Sequence, residues 1–262
     1  MEKNNAALEG VKEVAGRVYD DIGHPILKPI GEILSLFPRT LKIFTNGWDK
    51  WLTNREESLL ITAKAIEEKL SNLPSEKICS PEPHIAIPAI QQMCYCQNSR
   101  DLQDLYANLL VSSMNTDTRQ EVHPAFVDII KQLTPDEARI INSAPGFKNS
   151  FMPLIDVKGV IKGSLKSGHQ LLITNFTTVG FDVIQVKDNI CNYIDNLVRL
   201  NIFEIPPTYH LVDNSLYEPL KHDPVLEKKI APFKQVFDID FIDKIFVITN
   251  FGLAFKHICC PK

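Results

Sequence analysis

The side chains able to do chemistry are scattered along this chain. Histidines stand at 24, 84, 123, 169, 210, 222 and 257. No two are spaced as His-x3-His or His-Glu-x-x-His, the patterns that put two metal ligands on one helix face. The cysteines are Cys79, Cys94, Cys96, Cys191, Cys259 and Cys260. Cys94-Tyr95-Cys96 and Cys259-Cys260 are too close for the paired ligands of a zinc finger, which stand two to four residues apart. His123, directly before Pro124, has the most suggestive position. A general base there needs a carboxylate partner and a nucleophile within hydrogen-bonding reach, and no spacing in the sequence supplies them. The plainer reading is an imidazole that caps a helix start or stacks on Phe126. The run KGVIKGSLKSG, Lys158 to Gly168, sets Gly163 and Gly168 at the G-x4-G spacing of a phosphate-binding loop. His169 and Gln170 follow, where that loop needs lysine and a hydroxyl, so neither phosphate nor magnesium would be held. These patterns predict no catalytic residue, no cofactor and no metal site.

What remains is a candidate interaction surface: Trp48, Trp51, Lys158, Lys162 and Lys166. The three lysines flank a flexible turn and form a small patch for an anionic partner. Both tryptophans lie among Lys28, Arg39, Lys42 and Lys50. Tryptophan beside cations suits a membrane interface. It also suits helix packing or a subunit contact, and that reading ranks first because the amphipathicity is ordinary.

The elements that must position these residues follow from periodicity. Helical patterns run over 6–20, 25–37 and 39–70. Four prolines between 71 and 88 break the chain. Ser99 caps a helix with Leu102, Leu105, Tyr106, Leu109 and Leu110 inward. Pro124 opens another, with Phe126, Ile129, Ile130 and Leu133. Thr134-Pro135-Asp136-Glu137 forms a capping box for the next. From Pro145 the texture changes. Strands are expected at 151–157, 171–174, 202–205 and 245–249, and helices at 183–200 and 251–259, the last capped by Asn250. Three domains are expected: an amphipathic helical segment at 1–75, a helical domain at 76–143 and a winged-helix-like domain at 144–262. The expected fold class is α+β, mainly α, a helical-bundle first half followed by a winged-helix-like second half. The helix ending NLVRLNIFEI and the strand ending VITNFGLAF carry the winged-helix reading.

The chain has 262 residues, 44% hydrophobic and 23% charged, with net charge −4. That is enough for one core or two and excludes a generally basic surface for nucleic acid. The expected recognition surface of the winged-helix unit, Asp182, Gln185, Lys187, Asp188, Asn189 and Asn192, is nearly free of the cations that phosphate contacts need. No stretch reaches the roughly 20 apolar residues of a spanning helix. The opening MEKNNAALEG lacks the apolar run of a secretory signal. A cytoplasmic protein with reduced thiols is expected.

The stretch EVHPAFVDIIKQLTPDEARII, preceded by DLQDLYANLLVSSMN, resembles the abortive infection alpha family of bacterial phage-resistance proteins. The pattern there is an F/Y-A-N-L-L helix, an H-P-x-F start, then L-(S/T)-x-D-E-A. NLVRLNIFEI, ITNFGLAFKHIC and the less distinctive VYDDIGHPILKPIGEIL are similar in the same order. The centre, Asp101 to Ile141, is the most specific part. The resemblance implies a role in halting phage propagation and brings no catalytic motif. His123, Pro124 and Phe126 match it with no role beyond the helix start. The expected function is a non-enzymatic defence protein that binds a phage or host component; the alternative is a winged-helix transcriptional or nucleic-acid-binding regulator. The expected partner is a phage or host protein, with association of copies through the N-terminal helices as a second contact. Membrane-surface contact and nucleic acid rank behind these.

Overall fold

The computed structural model describes residues 66–261, apart from 94, 97, 148–149 and 164–167. The helices expected over 6–20 and 25–37, most of 39–70, and Trp48, Trp51 and Lys166 therefore lie outside the described residues. Two compact units divide the chain, Met1–Gln132 and Leu133–Lys262.

In the first unit, α1 spans Pro83–Met93, α2 Arg100–Ser113 and α3 Ala125–Lys131. Each buries one stripe, as helical periodicity demands. In α1 the stripe is Ile85, Ala86, Ala89, Ile90 and Met93. In α2 it includes Leu105, Tyr106, Leu109 and Leu110. In α3 it is Phe126, Val127, Ile129 and Ile130. The Ser99 hydroxyl accepts the Leu102 N–H and caps α2. Tyr106, fully buried, donates its hydroxyl to the Val127 carbonyl and ties α2 to α3. His123 Nδ1 accepts the Ala125 N–H at 3.1 Å, and its ring lies 5.9 Å from that of Phe126. The imidazole is thus an entry fitting for α3.

The second unit opens with α4, Pro135–Ser143, started by the full capping box of Thr134 and Glu137. Four strands follow: β1 Met152–Ile161, β2 Gln170–Phe176, β3 Phe203–Glu204 and β4 Phe237–Ile248. They form one antiparallel sheet in the order β2-β1-β4-β3. Every residue of β1 faces one of β4, from Met152 opposite Phe246 to Ile161 opposite Phe237. β2 is bulged: Ile155 pairs with Phe176 and Lys158 with Leu171, so three steps on β1 face five on β2. Asn175, at φ 59°, takes up part of that excess. The helices of this unit are α4, α5 (Ile190–Arg199), α6 (Glu218–Lys221), α7 (Pro224–Ile230) and α8 (Asn250–Cys259). Its core includes Leu154, Ile155, Phe176, Ile194, Leu197, Phe203, Phe246 and Phe255.

This sheet overturns the expectation of a helical bundle followed by a winged helix. A wing is a short hairpin. Here β4 begins at Phe237 rather than at residue 245 and pairs from Phe237 to Phe246 with all of β1, a far longer ladder than the hairpin of a wing. The cause is legible afterwards: Phe237-Asp238-Ile239-Asp240-Phe241 alternates apolar and acidic with the period of a strand. The helix expected from 183 begins only at Ile190. The N–H groups of Gln185 and Val186 are taken by the Asp136 carboxylate, and a 3-10 turn at Lys187–Asn189 leads into the helix. The cap of α8 is Thr249, whose hydroxyl accepts the Gly252 N–H; Asn250 is the first helical residue. Among the described residues, no helix is long and apolar enough to cross a membrane.

Candidate functional site

The acids of the PDEA stretch are turned inward. Asp136 and Glu137 are 5% and 2% exposed. Asp136 Oδ1 accepts the Gln185 N–H at 2.8 Å and the Arg139 guanidinium at 2.6 Å. Its Oδ2 accepts the Val186 N–H at 2.9 Å and the Tyr193 hydroxyl at 3.1 Å. Glu137 accepts the Asn196 side-chain amide and the Thr134 N–H. A carboxylate buried this deeply is stable only when its lone pairs are filled, as these are. Burial works against the Asp136 charge. The Gln185 and Val186 N–H groups, with Tyr193 and Arg139, outweigh it and hold the carboxyl below its ordinary value of 3.8.

A depressed acid contributes stability above its unfolded pKa and loses it as pH falls through the folded one. Asp136→Asn is therefore expected to cost about 2 kcal/mol near neutrality, the range of hydrogen bonds to a charged group. The difference from the parent should shrink below pH 3.8. Denaturant melts at several pH values check this; an equal loss at pH 3 and pH 7 would show that the charge is not the source.

The segment so held forms one wall of a cleft of about 440 Å³. Gln185, Val186, Lys187 and Asp188 face Pro224, Val225 and Lys228 of α7. Val186 is 47% exposed. Lys228 reaches Asp188 at 3.2 Å, and the Lys187 ammonium sits over the Phe181 ring at 5.3 Å. Val186, Pro224 and Val225 give this open hollow apolar surface and Lys187, Asp188 and Lys228 give it charge, without the enclosure of a small-molecule site.

A second polar cluster lies on the sheet. Lys244 of β4 donates to Asp156 Oδ1 at 3.0 Å, Asp156 Oδ2 at 2.9 Å and Asn175 Oδ1 at 2.9 Å. The Asn175 N–H goes to Asp156 Oδ1, and its side-chain amide goes to Asp195 of α5. A lysine ammonium has three N–H groups, and three oxygens here receive them. The cluster is a strut that ties β4 to β1 and, through Asn175, to α5. Cys191 nearby is pushed up to about 11, mainly by burial and against the pull of Lys229, so it is a protonated thiol at neutral pH. Cys260 is likewise raised to about 11 by burial. Among the described residues, no group of three or more His, Cys, Asp or Glu could hold a metal.

Of the candidate surface residues, Trp48, Trp51 and Lys166 lie outside the described residues. Lys158 pairs with Asp240 of β4 at 2.9 Å. Lys162, just beyond β1, donates to the Lys234 carbonyl at 2.6 Å. Sequence reasoning missed the Asp136 network. In a first turn, an acid that favours the helix dipole and one that reaches across the fold look alike.

A family model described as abortive infection alpha matches residues 54–259. No curated protein matches the chain. The solved structure of an uncharacterized protein from the hydrocarbon-degrading marine bacterium Alcanivorax borkumensis SK2 is similar at 18% identity, over 55% of this chain and 94% of that one, with a TM-score of 0.36.

Proposed function

This chain belongs to the abortive infection alpha family, and from that premise we propose that it restrains phage by binding a phage or host component, without making or breaking a covalent bond. The supporting observation is the direction of the PDEA acids. Asp136 and Glu137 hold Gln185, Val186, Tyr193 and Asn196 in place, and so shape the cleft beside α7. Groups this fully bonded are suited to keeping a surface in register, not to turning over a substrate. The regulator alternative relied on a winged helix and loses that support.

The test is phage plating on cells carrying variants. Val186→Glu puts a charge on the exposed wall of the cleft and is expected to reduce protection while the melting temperature stays within a few degrees of the parent. His123→Ala removes a helix-entry contact and is expected to keep protection. Full protection by Val186→Glu, or a complete loss in a well-folded His123→Ala protein, would refute the reading.

A further inference from the structure

We draw no further inference here: the strongest candidate, the exposed apolar patch of Tyr209, Val212 and Leu216 on the loop between β3 and α6, carries none because nothing in the structure shows what covers it.

Discussion

Gly252→Ala is expected to lower the melting temperature by roughly 10 °C, from a loss of about 3 kcal/mol or more. Helix propensity alone predicts the opposite. Gly252 lies in the first turn of α8, where alanine should gain up to about 1 kcal/mol. The sign is reversed by what lies beside it. A Cβ built there would stand 2.2 Å from the Ile202 carbonyl oxygen and 3.0 Å from its carbon. That oxygen cannot swing away, because it accepts the Thr249 N–H. Thr249 in turn donates its hydroxyl to the Asn201 carbonyl and accepts the Gly252 N–H. Asn201, at φ 57°, turns the chain out of α5 into β3. One small residue thus lets α8 start against the backbone that leaves α5. Gly146→Ala is the control: its Cβ would meet only the end of the Lys256 stem at 3.5 Å, and it should be near neutral. A Gly252→Ala protein that melts with the parent would mean that the close approach is not present in solution.

What the sequence made legible was local. Ser99 before an apolar helical stripe and Thr134 three residues before Glu137 each determine their own surroundings, and both caps form. The longer helices of the described region follow from apolar spacing for the same reason. The failures come from partners far along the chain. Gln185 and Val186 carry a good helical pattern, yet a carboxylate 49 residues away takes the N–H of Gln185. Lys244 and Asp156 are 88 positions apart and read singly as surface charges. The β4 strand is a different kind of miss. Its alternation from Phe237 to Phe241 is in the sequence, yet the expected strand began only at residue 245. Gly252 showed no sign at all, since the demand for a bare Cα comes from the neighbouring backbone.

One of these misses bears on function: the Asp136-held segment shapes the candidate surface, and local pattern could not supply it. At the start of α4, Thr134 acts on its own helix, while Asp136 and Glu137 also reach across the unit to Gln185, Val186, Tyr193 and Asn196. The same short sequence thus starts α4 and fixes the wall of the cleft.

The strut on the sheet gives the sharpest energetic contrast. Asp156 and Lys244 side chains are 8% and 23% exposed, so their pairing is little screened. Lys244→Met would leave the Asp156 carboxylate buried with the Asn175 N–H as its remaining bond. Asp156→Leu would strip the ammonium of two acceptors and leave that N–H without one. Each single change is expected to cost about 3 kcal/mol or more, the scale for breaking a buried pair by removing one partner. The double variant Asp156→Leu/Lys244→Met removes both charges together and should cost about 3 kcal/mol instead of the roughly 6 kcal/mol of simple addition. Full recovery is not expected, because the double variant, like Asp156→Leu alone, leaves the Asn175 N–H in its left-handed turn without its acceptor. Chemical denaturation of the three variants gives the coupling energy directly. Additive losses would mean that the two groups stabilise the sheet separately, with the ion pair contributing nothing of its own. A shortfall near 3 kcal/mol would mark the pair as a single unit that ties β1 to β4 through charge as well as backbone.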